Sequence, residues 1–365
     1  MENKNRIVFL DYLRVAACFM VMVIHACEPY YLNSEGTYVA NRTDLVCVTV
    51  VECLCRVCVP LFVMSSSYLL FPLKVSSADF FRRRIFRIVL PFMLWSCAYL
   101  WFCKGNWGAA AFNFPLDAAG HLWFVPMLLG LYILMPLFSP WAHNVGRREL
   151  SGWIGLWLFT TTFPFLRAIV LAVFGEPMFG AVPYLWGECP WNAFGAFHYI
   201  SGFVGYMLVG LWFRKFASEF SIAKTLKLYF PSYMAGIALL GLPFYSKITE
   251  FPFTASYAFA VRWETSIEYC SLGVALASIS VFAFFSKIKA DGKFYKMIIR
   301  PISEASFGAY LLHMFVLTQV CTYLKVLHMP TACSIIVSAL ISFVLSMLIA
   351  IGIRKIPFIG KLICG

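Results

Sequence analysis

The chain has 365 residues, of which 61% are hydrophobic and only 13% are charged. These proportions exclude an ordinary soluble domain of this length, in which about a quarter of the residues are charged. The net charge of +12 would suit a nucleic-acid partner. Most basic residues instead lie in the short loops between apolar stretches, so we predict no nucleic-acid binding.

Apolar stretches of ~20 residues recur along the chain, and each is long enough to cross a bilayer as a helix. Their apolar runs are continuous rather than alternating, which favours helices over a closed barrel. The sequence therefore predicts an all-α polytopic membrane protein with about ten transmembrane helices, forming a single domain over residues 1–365. The predicted spans are 8–27, 46–73, 85–103, 122–140, 151–174, 198–216, 225–245, 266–286, 302–324 and 331–353.

Lysine and arginine indicate how the helices are oriented. With the N-terminus placed inside, 21 of the 29 basic residues lie on the cytoplasmic side, 5 lie outside and 3 fall within spans. Cytoplasmic loops carry the excess of positive charge in multi-pass proteins. We therefore predict that both termini are cytoplasmic and that the chain lies in the cytoplasmic (inner) membrane, in contact with membrane lipid.

The first span, "LDYLRVAACFMVMVIHA", carries a polar stripe. Asp11, Cys18 and His25 are seven residues apart, so they drift by only ~20° per step. Arg14 and His25 are eleven residues apart, which places them on one face with ~16 Å between them. Ionisable groups avoid lipid, so this face is predicted to point into the protein, with Arg14 toward the cytoplasm and His25 toward the outside.

The second span, "VECLCRVCVPLFVMSSSYLL", contains Glu52 and Arg56 one turn apart and Ser66 further on. The Glu52–Arg56 pair suits either a structural ion pair or a site. The cysteines between residues 47 and 58 point in different directions on a helix, which argues against a zinc site.

The segment "RRRIFRIVLPF" places Arg82, Arg83, Arg84 and Arg87 at the predicted cytoplasmic rim. Guanidinium groups hold phosphate oxygens with bidentate hydrogen bonds. The same residues would also serve as topological anchors, and the sequence leaves both interpretations open.

Further polar and aromatic residues are expected near the outer side. His121 and Trp123 open the fourth span, and Ser306, Tyr310 and His313 share one face of the ninth. A lone membrane histidine is usually a packing residue, whereas three with polar neighbours indicate a site. The aromatic outer loop 175–199 suits either a sugar site or an interfacial belt.

These stretches, together with "HLWFVPMLLGLYILMPL" and "SFGAYLLHMF", resemble in their order the signatures of the acyltransferase-3 family of bacterial integral membrane acyltransferases. The resemblance extends from Leu10 to Phe315. Ser66 takes the position of the family's serine, and Ser67 replaces its usual glycine. Family members transfer an acyl group from cytoplasmic acyl-CoA to an acceptor, often a cell-surface glycan. We expect a stand-alone domain without the extracytoplasmic hydrolase-like domain that some members carry.

The resemblance implies acetyl-CoA or another acyl-CoA as donor, with acetyl favoured over succinyl, and no metal. The acceptor is expected to be a hydroxyl of a glycan, with a lipid-linked sugar, a peptide or an amine left open. Histidine suits the general base because its pKa lies near neutrality. The implied roles are a catalytic group (His25, Glu28, Glu52), an acyl-CoA group (Arg14, Ser66, Arg82, Arg84, Arg87) and a substrate-channel group (His121, Trp123, Tyr310, His313).

Two other functions are compatible with the sequence. Intramembrane Arg, Glu and His also mark the pathways of secondary transporters. A non-catalytic subunit of a surface-polymer assembly is the second alternative, although the presence of both Arg14 and His25 argues against it. Binding of acyl-CoA would favour the enzyme, and solute uptake without acyl-CoA would favour the transporter. A homo-oligomer is left open.

Overall fold

A computed structural model describes residues 6–104, 119–175, 200–217 and 220–365. The helices in chain order are α1 Val8–Cys27, α2 Arg42–Cys55, α3 Cys58–Leu70, α4 Ser77–Arg84, α5 Leu90–Tyr99, α6 Phe124–Asn144, α7 Arg147–Thr160, α8 Phe163–Phe174, α9 Val204–Phe216, α10 Ile222–Ser246, α11 Tyr257–Trp263, α12 Leu272–Phe285, α13 Arg300–Lys325, α14 Thr331–Arg354 and α15 Ile359–Cys364. The strands are β1 Leu32–Asn33, β2 Gly36–Val39 and β3 Phe253–Ser256. Turns of π-helix lie at Ile85–Val89, Leu100–Lys104 and Tyr295–Ile299.

The predicted all-α polytopic membrane fold is confirmed. Within the described ranges, seven helical stretches are long and apolar enough to cross a membrane: Val8–Tyr30, Arg42–Leu70, Ser77–Phe102, Gly120–Asn144, Ile222–Ser246, Tyr295–Lys325 and Thr331–Arg354. The other three predicted spans coincide with shorter helices, namely α7 with α8, α9 and α12. The count of ten and the cytoplasmic termini stay predictions, and residues 176–199 of the aromatic outer loop lie outside the described residues.

The second predicted span is interrupted. The side chain of Asn41 caps α2 by accepting a hydrogen bond from the backbone N–H of Asp44. The helix ends at Cys55, and α3 begins at Cys58 with Pro60 in its first turn. Proline fits there because the first turn does not need its missing N–H. Residues 46–73 therefore form two helices rather than one.

The chain divides into two compact units. The first comprises Met1–Ala26, Leu70–His143 and Lys289–Gly365. Within it, α15 packs back against α5, where the indole of Trp95 donates to the carbonyl of Ile363 over 3.0 Å. The face of α14 that is buried carries small side chains, including Ser338, Ser342 and Ser346, and small residues let membrane helices approach closely.

The second unit comprises Cys27–Leu69 and Asn144–Ile288. It contains a three-stranded antiparallel sheet of order β1-β2-β3. Gly36 pairs with Ser256 and has a φ of +147°, and a Cβ there would collide with the carbonyl oxygen of Ala255. Only glycine meets both demands at this position.

Candidate active site

Three histidines from separate parts of the chain lie together in the first unit. His25 comes from α1, His121 from the 3-10 turn Gly120–Trp123 and His313 from the middle of α13. Their ring centroids are 6.3 Å apart for His25–His121, 5.3 Å for His25–His313 and 5.0 Å for His121–His313. His121 and His313 are buried, whereas His25 is half-buried. His25 is therefore the most exposed member of the cluster.

One turn of α13 holds this cluster in place. The hydroxyl of Tyr310 donates to the carbonyl of His121 over 2.5 Å, and Tyr99 donates to the carbonyl of Leu311 over 3.0 Å. The Nδ1 atom of His313 lies 2.6 Å from the carbonyl of Tyr310. A carbonyl oxygen only accepts hydrogen bonds, so Nδ1 of His313 must carry the proton. The turn thus sets the tautomer of His313 and the position of His121.

Each of the two buried histidines has a second ring nitrogen, Nε2, in the interior. The Nε2 atoms of His121 and His313 are buried without a hydrogen-bond partner in the part of the chain that the structure describes. Buried polar atoms normally have partners, so such atoms need an explanation. At His313, protonation of Nδ1 leaves a lone pair on Nε2. His313 therefore presents an unprotonated Nε2 atom in the interior, in the same cluster as the half-buried ring of His25.

Aromatic side chains line the cluster. Tyr99 stacks on Phe315 with centroids 4.1 Å apart, and its ring lies 4.9 Å from that of His121. Phe124 meets Tyr310 edge-on at 5.8 Å. Trp123 is half-buried and contacts Phe124 edge-on. These rings surround the histidines with apolar surface, and electrostatic interactions are stronger in surroundings of low dielectric constant.

A second polar region lies at the start of α1. The carboxylate of Asp11 accepts hydrogen bonds from Arg6 Nε (2.6 Å) and Arg6 Nη2 (2.9 Å). It also accepts from the hydroxyls of Tyr295 and Ser303, both over 2.6 Å. Arg6 in turn pairs with Glu304 over 2.6 Å. This network, which we call the Asp11 network, joins α1 to α13, the two helices that carry His25 and His313.

The interior arginines lie near the Asp11 network. Arg14 makes no hydrogen bond or ion pair within the described ranges. It lies close enough to Asp11, Tyr132 and Arg84 to feel their charges. Asp11 already accepts four hydrogen bonds, so it is not free to pair with Arg14. Arg14 is thus a candidate ligand for an external anion.

The four arginines near residue 84 do not form one cluster. Arg82, Arg83 and Arg87 line a surface pocket, whereas the guanidinium of Arg84 lies over the rings of Phe80 and Tyr132. Their predicted role in binding acyl-CoA stays a prediction.

The second unit holds the other residues singled out from the sequence. Glu52 is fully buried, accepts from the hydroxyl of Tyr31 over 2.9 Å and lies 3.3 Å from Arg56. The Nε of Arg56 donates to the carbonyl of Ile267, and its guanidinium lies over the ring of Tyr269. The predicted Glu52–Arg56 pair is present, and both of its members have further contacts that suit a structural role.

Glu264 stands beside this ion pair. Burial raises the pKa of its carboxyl from the ordinary value of 4.5 to about 7, although the charge of Arg56 opposes the shift. The charges of Glu52, Glu268 and Glu28 add to it. Glu28 itself opens the 3-10 turn Glu28–Tyr30 and is half-buried. The region therefore carries more carboxylates than Arg56 can neutralise.

Ser66 is half-buried in α3, and its neighbour Ser67 is tightly packed. The hydroxyl of Ser67 donates to the carbonyl of Met207 over 2.6 Å. A Cβ at Gly210 would lie 2.6 Å from the carbonyl of Met64 and 2.8 Å from the Cβ of Ser67. Gly210 of α9 therefore lets α9 approach α3 closely beside Ser67.

Some of these residues were not singled out from the sequence. Tyr99 has only Ser96 as a serine or charged neighbour at helical spacing, and one such neighbour does not distinguish it from a packing tyrosine. Ser303 precedes Ser306 by three residues, and that spacing would have extended the predicted polar face by one turn. As for metals, within the described ranges no group of three His, Cys, Asp or Glu could hold an ion.

Residues 7–353 of the chain match the family model of the acyltransferase-3 family, which is described as an acyltransferase domain. The match includes the histidine cluster, the Asp11 network apart from Arg6, and the arginines between residues 82 and 87. Comparison with curated proteins and with solved structures gave no match.

Proposed function

The chain belongs to the acyltransferase-3 family, and from this membership we propose that it transfers an acyl group, acetyl in the first instance, from acyl-CoA to a hydroxyl of a cell-surface glycan or a related acceptor. The observation that supports the proposal is the histidine cluster, in which the half-buried ring of His25 lies beside the two buried rings of His121 and His313. The proposed location is the cytoplasmic membrane, with the donor bound from the inside and the acceptor from the outside.

His25 is proposed as the general base. One nitrogen of its ring takes the hydroxyl proton of the acceptor while the oxygen attacks the thioester carbonyl. The tetrahedral intermediate then releases CoA as a thiolate, which takes the proton back from the His25 imidazolium. The products are the acyl ester and free CoA, and the histidine returns to its starting state.

His121, Trp123, Tyr310 and His313 are proposed to shape the site around His25. The hydrogen bonds of the Tyr310 turn hold the backbone of His121 and the ring of His313, so His25 is proposed to face neighbours that do not reorganise during the reaction. Such preorganisation is a large part of enzymatic rate enhancement. A carboxylate orienting His25 is also proposed, with Glu28 and Glu52 as the two candidates.

The donor end of the site is proposed to use arginine. Arg14 lies on the same face of α1 as His25, at ~16 Å along the helix. The pantetheine arm of acyl-CoA would bridge this interval, with its phosphates held by Arg14, Arg82, Arg84 and Arg87. Guanidinium groups bind phosphate oxygens in pairs, which suits the polyphosphate end of CoA.

The test is the variant His25→Gln, which keeps a hydrogen-bonding side chain of similar length but cannot take a proton. We expect transfer to fall by ~10²–10⁴-fold, the usual contribution of a general base. The matched control is His143→Gln, because His143 is exposed and its Nε2 lies 3.1 Å from the backbone carbonyl of Leu73, away from the histidine cluster. Release of the CoA thiol is measured with purified protein in nanodiscs, acetyl-CoA and an envelope glycan fraction.

Binding of acetyl-CoA is measured beside the reaction. Loss of transfer with retained binding supports His25 as the base, and a His25→Gln protein that keeps most of its rate contradicts it. The acceptor is sought separately, by mass spectrometry of surface glycans from cells with and without the protein. An unchanged glycan profile would contradict a glycan acceptor.

A further inference from the structure

The arginine-rich segment at the end of α4 has an outer cationic surface. Arg82, Arg83 and Arg87 line an open pocket of about 320 Å³ together with Asp79 and Phe86. Three guanidinium groups against one carboxylate leave this pocket positively charged. Phe86 is 59% exposed and so presents an aromatic surface beside the charges. We call this set the outer pocket.

The same segment also has an inner cationic surface. The guanidinium of Arg84 lies 5.6 Å from the ring centroid of Phe80 and 5.7 Å from that of Tyr132. Its Nε is buried and has no hydrogen-bond partner within the described residues. Arg14 lies near enough to be repelled by the charge of Arg84. Neither guanidinium is paired with a carboxylate in the described ranges, and we call the two the inner pair.

A turn of π-helix separates the two surfaces. In an α-helix, residues three apart lie on the same side, so Arg84 and Arg87 would point together. The segment Ile85–Val89 is a π-helix, which adds a residue to the turn and rotates the side chains beyond Arg84 around the helix axis. Arg84 consequently faces the interior aromatic rings and Arg87 faces the outer pocket.

We infer that the two surfaces bind different phosphates of a single acyl-CoA molecule: the outer pocket binds the 3′-phosphoadenosine end, and the inner pair binds the pyrophosphate. This inference rests on the proposed function, in which acyl-CoA is the donor. Acyl-CoA carries a monophosphate on the ribose and a diphosphate toward the pantetheine arm. Two anion sites separated along one helix suit these two groups.

The chemistry of each surface matches the group assigned to it. A planar base stacks on an exposed aromatic ring, as adenine would on Phe86. The inner pair presents two forked donors, which can hold several oxygens of a diphosphate at once. Arg14 also stands on the same helix face as His25, so a pantetheine arm that leaves the inner pair can run along α1 toward that histidine.

The test compares two ligands that differ only in the ribose phosphate, acetyl-CoA and 3′-dephospho-acetyl-CoA. Affinities are measured by calorimetry on the full chain in nanodiscs of neutral lipid. The double variant Arg83→Ala with Arg87→Ala should weaken acetyl-CoA about tenfold to a hundredfold, the range for one lost charge-assisted contact or slightly more. Its affinity for the dephospho ligand should stay that of the wild type.

Variants of the inner pair should behave differently. Arg84→Ala should weaken both ligands by the same factor, because both retain the pyrophosphate. Arg84→Lys keeps the charge without the planar fork and should recover part of the loss for both. Arg148→Ala is the matched control, because Arg148 is an exposed arginine that belongs to neither surface, and it should leave both affinities unchanged.

The possible results distinguish a failure of the two-site inference from a failure of the proposed function. Equal losses for both ligands in the outer-pocket variant would overturn the division into two sites. Failure of the wild type to bind either ligand would overturn the proposed function as well. The same variants are also measured against phosphatidylglycerol vesicles. If the arginine substitutions weaken vesicle binding and leave both CoA ligands unchanged, the surfaces bind lipid headgroups and the inference is wrong.

Discussion

Replacing Asp11 with asparagine should destabilise the protein more than any other single change at the charged end of α1. The carboxylate is 3% exposed and accepts four hydrogen bonds, two from Arg6 and one each from Tyr295 and Ser303. In Asp11→Asn, one oxygen becomes an NH₂ group that cannot accept. About two of the four bonds are then lost, and their donors face another donor.

The magnitude follows from the kind of bond. Hydrogen bonds to a charged group contribute ~1.5–3 kcal/mol each, and removing one partner of a buried pair costs ~3–5 kcal/mol. The side chain of Arg6 is 25% exposed and retains its contact with Glu304, which lowers the penalty. We therefore expect the free energy of unfolding to fall by ~3–4 kcal/mol.

The matched control is Glu304→Gln, because Glu304 bonds the same Arg6 but its side chain is 37% exposed. Exposed ion pairs contribute ~0–1 kcal/mol, so this variant should lose little. Both free energies are measured by detergent titration in mixed micelles, followed by tryptophan fluorescence. If both variants lose little stability, the buried carboxylate of Asp11 contributes no more than a surface charge. If both lose several kcal/mol, the stabilisation depends on Arg6, the residue that Asp11 and Glu304 share.

Three further predictions concern pH, topology and packing. The folded state disfavours ionised Glu264, so the free energy of unfolding should fall as pH rises from 4.5 to about 7. Glu264→Gln should flatten that part of the pH profile of thermal unfolding. An unchanged slope would show that Glu264 is not the group responsible. In a background without native cysteines, Glu35→Cys should react with an impermeant thiol reagent added outside, and Arg148→Cys should not, whereas the reverse pattern would overturn the orientation. Gly236→Ala should lose ~1–3 kcal/mol of stability, because the added Cβ would lie 2.7 Å from the backbone of α12. Gly152→Ala, which has open space around it, should be neutral or stabilising. A neutral Gly236→Ala would show that α10 and α12 can move apart to make room.

Hydropathy was sufficient to predict the class of fold and the position of most helices, because the cost of lipid-exposed polar backbone leaves few alternatives. It did not show that the second span breaks near Arg56. Nothing in the hydropathy marks this break, since apolar residues continue on both sides of Arg56. A π-helical turn such as Ile85–Val89 also cannot be predicted from a helical periodicity that assumes 3.6 residues per turn. The division of the α4 arginines into two surfaces depends on that turn and was missed with it.

The polar stripes were predicted helix by helix. The spacing of Arg14 and His25 on α1, and of Tyr310 and His313 on α13, was enough to say which face of each helix is polar. In the structure the rings of His25 and His313 lie 5.3 Å apart, so the two stripes face each other there. A polar stripe does not show how far one helix is shifted along the axis of the other. That axial shift depends on how the two helices pack, so it cannot be read from the spacing within either one.

The Asp11 network shows what sets this axial shift. Asp11 bonds Ser303 at one end, and the rings of His25 and His313 meet at the other, so the two helices run in the same direction. From Asp11 to His25 the helix rises ~21 Å, and from Ser303 to His313 it rises ~15 Å. A strictly parallel pair would leave His25 about one turn beyond His313. The helices must cross or the side chains must lean to close that difference, and a fixed contact at the Asp11 end is what makes the crossing reproducible. The position of the proposed base therefore depends on a carboxylate that lies too far away to touch it.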